Sequence, residues 1–340
     1  MASKLRYDTA SRPPCAVRPV AVFAGFAFAL ATSLSAHAQD AWPSRQVTVL
    51  VPYPAGGFID SVTRIVSEGL REKSGQPFVI INKVGGNGKV ALGDLVRAAP
   101  DGHTLLTNND GGMGTPPGVD KNFKYDPAKD YTSLSQIVDS KFILVVRAGL
   151  PVKTLGELIA LAKSSPKPLS YASPGQGSTP HIGMEYFSRQ IGAEMTHVPY
   201  SGAAPALNDI VGGQVDVYMA SVPSVVGHLG SDKIRPLALM SKSQLAAYPN
   251  VPTMEQAGMP GFIIDGWLGL FGPPNMSADL RGRVSRAVAD VVRDPKYADK
   301  LRANGVDPIT KDSDAFSKFY LAEVLRWKNF SNEHNIKVGD

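Results

Sequence analysis

Short apolar runs alternate with longer amphipathic stretches along most of this chain. Gln46–Val51 is a β-branched, apolar run ended by Pro52 and reads as a buried strand. Across Asp60–Lys73, Val62, Ile65, Val66 and Leu70 recur at helical spacing. A strand over Pro77–Asn82, a helix over Val90–Ala98 and a strand over Thr104–Thr107 complete a first series. After a break, strands over Phe142–Arg147, Leu169–Ala172, Met195–Pro199 and Val215–Met219 alternate with helices over Thr154–Lys163, His181–Ile191 and Ala204–Gly212. A strand over Arg235–Met240 and an amphipathic helix over Ser277–Asp294 follow. The tail from Ser313 sets Phe316, Tyr320, Val324 and Trp327 on one helical face, which predicts burial against a core.

Alternation of this kind specifies an α/β fold with mixed, mostly parallel sheets flanked by helices. Phe142–Val146 and Pro236–Met240 bracket a block of roughly one hundred residues that is complete as an α/β unit. If both strands cross between lobes, residues 39–146 with 241–340 form lobe one and residues 147–240 form lobe two. Two hinge strands then allow the lobes to close on a ligand in the Venus-flytrap manner.

The N-terminus changes where this fold is expected to work. Lys4, Arg6, Arg12 and Arg18 precede the apolar run Val20–Ala31, and Ala36-His37-Ala38 offers a small-x-small cleavage site. The run falls short of the roughly 20 residues a transmembrane helix needs. Residues 1–38 therefore read as a signal peptide removed after Ala38, which places the mature protein in the periplasm. The sole cysteine, Cys15, lies before the apolar run, so the mature chain has no thiol, disulfide or cysteine metal site. Charge adds little: the chain carries 35 basic and 30 acidic side chains, with no basic run interleaved with aromatics to suggest nucleic acid.

Candidate chemistry sits where strands hand over to helices. In Val51-Pro52-Tyr53-Pro54-Ala55-Gly56-Gly57-Phe58-Ile59-Asp60, a strand ends, two glycines let the backbone turn, and a helix starts near Asp60. Free N–H groups and the positive end of a helix dipole form an anion site without a charged side chain. Tyr171–His181 repeats the arrangement through Gly175, Gly177, Ser178 and Thr179, with a hydroxyl able to cap the helix. Ligands of open α/β sheets sit outside the carboxyl ends of strands, where both loops lie. Thr107-Asn108-Asn109-Asp110, Pro199-Tyr200-Ser201-Gly202-Ala203 and Ser221-Val222-Pro223-Ser224 also follow strands and are candidates to complete the wall.

Enzyme signatures are mostly missing. There is no G-x-S-x-G elbow and no H-E-x-x-H pattern. Gly88-Lys89 is followed by Val90, so it lacks the hydroxyl of a P-loop, and Gly85-Gly86-Asn87-Gly88 lacks dinucleotide spacing. A Ser178/His181 pair is the one hydrolase reading left, with no carboxylate evident to orient the histidine.

The residues resemble a known family. Trp42-Pro43, Val51–Gly57 with Asp60 and Arg64, Ala99–Leu105, Tyr125–Tyr131, Tyr171–His181, His197–Gly202, Gly213–Asp216 and Val251–Glu255 together are similar to the tripartite tricarboxylate transporter substrate-binding proteins, the Bug family. The likeness covers essentially the whole mature chain. It implies a periplasmic binding protein, not an enzyme, that delivers a small carboxylate to membrane permease subunits. It also implies ligand contacts at Gly56, Gly57, Phe58, Asn108 and Asn109 in lobe one, and at Gly177, Ser178, Thr179, His181, Tyr200, Ala203 and Asp216 in lobe two. Asp60 and Ser221 join these as candidates from their loops. The chain departs from the family at Ser201, where lysine is frequent, at the Gly85–Lys89 rim, and at the bulky Phe58, which hints at a flat ligand.

The expectation is a monomeric carboxylate-capturing protein with no cofactor and no metal. Dicarboxylates, tricarboxylates, acidic amino acids, nicotinate-like acids and aromatic dicarboxylates such as terephthalate all remain open as ligands. A ligand-sensing adaptor for a membrane receptor is the alternative, because both roles need only a ligand-dependent closed surface.

Overall fold

In the computed structural model, Ala2 and residues 42–245, 248–336 and 338 are described. The signal peptide expected over residues 1–38 lies outside this set. The body from Trp42 onward is one unit built on two sheets that share a strand.

The first sheet begins with β1 (Val47–Val51), which pairs in parallel with β2 (Phe78–Asn82) and β3 (Thr104–Asn109). Helix α1 (Phe58–Ser74) and helix α2 (Lys89–Val96) make the crossovers between them. The apolar side of α1 buries Ile59, Val62, Val66 and Leu70, and left-handed Gly75 ends the helix. A π-turn over Asp110–Gly114 and the short α3 (Pro116–Val119) lead on to β4 (Thr132–Arg147).

β4 is sixteen residues long and serves both sheets. Its first part pairs with β9 (Asp265–Gly272) and β10 (Asp307–Lys311). From Phe142 onward it pairs with β7 (Val217–Ser221) and β8 (Ile234–Leu239). There its side chains alternate, with Phe142, Leu144 and Val146 entering one core and Ile143 and Val145 another. The second sheet continues in parallel from β7 through β5 (Leu169–Ser173) to β6 (Met195–Pro199). Helices α4 (Leu155–Ser164), α5 (Thr179–Ile191), α6 (Ala203–Val211) and the short α7 (Val222–Val225) complete this half. Helices α8 (Ala278–Val292), α9 (Pro295–Ala303) and α10 (Ser313–Glu333) follow β9.

Beyond residue 240 the chain stays with the second sheet before rejoining the first. β8 pairs with the second part of β4, and the chain rejoins the first sheet only at β9. Met254, Phe262 and Ile264 pack with Phe142, Leu144 and Phe187, so the segment between β8 and β9 belongs to the second core. The end of α10 crosses over as well: Phe316 and Tyr320 lie in the first half's aromatic core, while Trp327 lies in the second's.

Candidate functional site

Two loops lean on each other across the space between the sheets. The β1–α1 loop carries Pro54, and the β6–α6 loop carries Gly202. A β-carbon on Gly202 would lie 3.0 Å from the Pro54 side chain, and its φ of +159° is one that L side chains rarely adopt. Glycine therefore lets the two loops touch. Beside the contact lies a narrow cleft bordered by Pro54, Gly57, Phe58, Asn109, Phe142, Ser178, Pro180, Ala203, Tyr218 and Ser221. No acidic, basic or histidine side chain borders it among the described residues. A wider opening shares Tyr53 and Pro174 with this cleft and is also bordered by Lys89, Asp120, Tyr200 and Ser201.

On the first side, α1 starts at the cleft. Its N-cap is Gly57, with φ −77° and ψ 172°, and no side chain caps the first turn. The leading N–H groups of a helix have no partner within it and carry about half a positive charge together. Gly56, at φ +83°, makes the turn, but its N–H already donates to Asp60 Oδ2 at 2.9 Å. Asp60 is buried and does not reach the cleft. Its carboxylate accepts from Arg64 Nε at 2.8 Å and from Asn82 Nδ2 at 3.0 Å. Burial works to raise this carboxyl, yet the bonds from Arg64, Gly56 and Asn82 outweigh it and hold the group below its ordinary value. Asp60 and Gly56 thus hold the loop in shape, a different part from the ligand contact expected of them.

The second helix start differs from the one the sequence singled out. Ser178 caps α5, its hydroxyl accepting from the His181 N–H at 3.4 Å and donating to the Gly175 carbonyl at 2.6 Å. Thr179 Oγ1 lies 2.7 Å from Thr115 Oγ1, and Gly177 N–H donates to His181 Nδ1. These groups satisfy one another, and of this loop only Pro174, Ser178 and Pro180 border the cleft. The uncapped start is that of α6, where Gly202 is the N-cap and Ala203 and Ala204 present the first turn to the cleft. The sequence offers this loop as one candidate for the wall without marking it as an anion seat, because Gly202-Ala203 carries no side-chain signal beyond the glycine.

The remaining candidates divide by position. Asn109 borders the cleft and its side chain accepts from Gly112 N–H at 3.2 Å, whereas Asn108 is fully buried beneath it. Tyr200 donates to Asp209 at 2.7 Å and stands at the outer opening. Asp216 does not reach the cleft: it pairs with Arg147 at 2.9 Å and accepts from both the N–H and the hydroxyl of Ser170. Phe142 and Tyr218 read from the sequence only as strand residues and Pro180 as part of the Tyr171–His181 loop, yet all three supply the cleft's apolar wall.

His181 does not pair with the Ser178 hydroxyl. Its ring stacks on His197, with centroids 4.0 Å apart, and His197 Nε2 meets Ser173 Oγ at 2.7 Å. Burial pushes His181 down to about 4; burial and the neighbouring His181 ring push His197 to about 4. Both imidazoles are therefore neutral near neutrality and ill-suited to accept a proton from serine. An unfolded histidine titrates near ~6.5. Stability from this pair is thus complete above that value and is lost as pH falls toward 4, at up to about 1.4 kcal/mol per pH unit for each ring. Urea midpoints should drop between pH 6.5 and 4.5, and His197→Asn should flatten the drop. An unaltered profile in that variant would refute the assignment.

The geometry is that of a binding cleft, and comparison with known proteins agrees. Residues 62–336 match the family model described as the tripartite tricarboxylate transporter family receptor. The periplasmic binding protein BugD has a similar structure, with a TM-score of 0.82 at 26% identity over 87% of this chain and 99% of that one. The R. palustris protein Rpa4515, solved with adipate, gives 0.83 at 31% identity over 87% and 99%. MatC (Rpa3494) of Rhodopseudomonas palustris, solved with malate, gives 0.80 at 29% over 85% and 99%. This chain shares the α/β periplasmic binding protein fold of BugD, and its family is one of binding receptors, not enzymes. With a matching model, three like structures and a cleft between two lobes, the chain belongs to the tripartite tricarboxylate transporter family receptors.

Proposed function

We propose that this protein captures a small dicarboxylate with an apolar spacer and presents it to the membrane permease of a tripartite transporter. The observation that carries this reading is the pair of uncapped helix starts, α1 and α6, meeting at a cleft that no charged side chain borders among the described residues. Each start offers unpaired N–H donors and a positive dipole end, which suits one carboxylate. Phe58, Phe142, Tyr218 and Pro180 suit a middle that makes no hydrogen bonds. A hydroxyl on that middle would lose its water and meet few polar groups, Asn109, Ser178 and Ser221 among them.

The protein acts as a monomer after removal of residues 1–38, and the two lobes close by rotation about β4 and the segment entering β9. The packing of Met254, Phe262 and Ile264 favours a boundary near residue 264. That adipate and malate are held by Rpa4515 and MatC supports a carboxylate here, and the cleft wall favours the adipate kind.

A thermal-shift screen with adipate, terephthalate, malate and citrate tests this. A ligand at about one hundred times its dissociation constant adds roughly 2.7 kcal/mol, or about 5 °C in melting temperature. Adipate or terephthalate should give the largest rise. A larger rise with malate or citrate would overturn the apolar spacer, and no rise with any acid would sink the carboxylate reading. Loss of uptake of that acid in a deletion strain would favour transport over sensing.

A further inference from the structure

Asp110 begins the π-turn at the end of β3, where the first half of the molecule meets the second. Its side chain is 1% exposed. Oδ1 accepts the Trp267 N–H of β9 at 3.2 Å, whereas Oδ2 has no hydrogen-bond partner. Asn87, Trp267 and Tyr320 of the first half cover part of this turn, and the other half supplies the rest. A β-carbon on Gly111 would lie 3.6 Å from the Thr179 nitrogen, and Thr115 Oγ1 touches Thr179 Oγ1 at 2.7 Å. Both contacts join the π-turn to the first turn of α5. A carboxylate in such a place has lost its water and gained one N–H donor, which favours the neutral form.

We propose that Asp110 is a proton-binding group at the seam between the lobes, taking up a proton as they close over it. When α5 withdraws, water reaches Oδ2 and the ionised form is restored. The closed form is therefore favoured as the medium turns mildly acidic, up to tenfold per pH unit for one proton. The role lies beyond ligand contact, since Asp110 does not border the cleft. It rests on the closing motion of the proposed function, but its first test needs no ligand.

The surroundings support a neutral carboxyl. Burial pushes Asp110 up to about 7; the Thr179 hydroxyl of α5 and the Trp267 N–H oppose this, and the Glu323 carboxylate of α10 adds to it. Glu323 is itself paired with Arg326 at 2.7 Å. From the β1–α1 loop the titratable neighbour is Tyr53, whose phenol is raised by its own burial and then by Asp110. From α10, Tyr320 donates to the Met113 carbonyl of the turn and also meets Tyr131. β9 and α5 present the Trp267 N–H and Thr179, neither of which titrates here. No salt bridge engages Asp110 among the described residues.

The Thr115–Thr179 contact supplies the test. Cys15 is the chain's only cysteine and lies within the expected signal peptide, so a mature protein carrying Thr115→Cys and Thr179→Cys has two thiols, placed to form a disulfide across the seam. Infrared titration, with Asp110→Asn in the same background identifying the carboxyl band, reads the proton on Asp110. In the oxidised, closed protein the midpoint should lie near 7, and in the reduced protein roughly two pH units lower. Equal midpoints in the two forms overturn the proposal. Should the double variant fail to fold, the difference between the unaltered protein and Asp110→Asn still decides. A carboxyl that titrates above pH ~6 and moves on adding adipate supports the proposal, and a midpoint in the ordinary carboxylate range overturns it.

Discussion

Replacing Gly57 by aspartate is expected to abolish ligand binding while leaving the fold as stable as before, or more so. The backbone at Gly57 already has the extended N-cap conformation, and a β-carbon there meets only the Pro54 carbonyl at 3.5 Å. Aspartate is a preferred N-cap, and its carboxylate would accept the first-turn N–H groups of α1 for about 1 kcal/mol of helix stability. Those are the donors the proposed ligand needs. The variant fills the anion seat with a fixed anion and adds charge repulsion, so affinity should fall by roughly a hundredfold or more, about 2.7 kcal/mol. Gly57→Ala, which adds bulk without charge, should retain binding within a few-fold. Calorimetry with the best acid from the screen measures the affinity, and thermal unfolding measures the fold. Undiminished affinity in the aspartate variant would remove α1 from the site.

Asp60→Ala should weaken both binding and the fold. Its loss leaves three donors without their acceptor: the Gly56 N–H, the Asn82 amide and the Arg64 guanidinium. Buried donors left unpaired cost about 1–3 kcal/mol each, but the Arg64 side chain is 53% exposed and can turn to water. About 2–3 kcal/mol of stability is the expected loss, read from the urea midpoint. The Gly56-Gly57 turn then loses its anchor, and affinity should drop at least tenfold even in molecules that remain folded. Because the carboxyl is held below its ordinary value, the stability it contributes is present above pH ~4 and disappears as pH falls through the lower, folded value. Asp60→Asn should retain part of the Gly56 bond and fall between the two. An alanine variant as stable as the parent would show that the loop holds itself.

Much of this arrangement is legible before any coordinates. The β1–α1 loop announces itself through Val49–Val51, two glycines and the apolar periodicity of α1. The α5 start does so through glycines and hydroxyls. What periodicity cannot say is which start is already satisfied. The residue that marks Ser178 as a donor is the one that caps its own helix, whereas α6 stays open because Gly202 brings no side chain. The early part of β4 escapes for another reason. Ser133, Ser135 and Gln136 look like a polar loop, yet they are buried between β9 and β10, where Ser135 and Lys311 find hydrogen bonds. β9 hides behind Gly266, Gly269 and Gly272, which read as loop residues. Gly269 is needed because a β-carbon there would collide with the ring of Phe316, 2.2 Å away. Long-range packing sets these choices, and no local window contains it.

The double service of β4 bears on how the molecule can be cut or extended by design. Severing the chain near residue 141 would strip an inner strand from both sheets at once, so two such fragments should not reassemble from independently folded pieces. A reporter meant to sense closure therefore needs entry points that leave this strand whole. The turn at Pro166–Pro168, exposed and following α4, is one such place, and a circularly permuted chain opened there would preserve every pairing of β4.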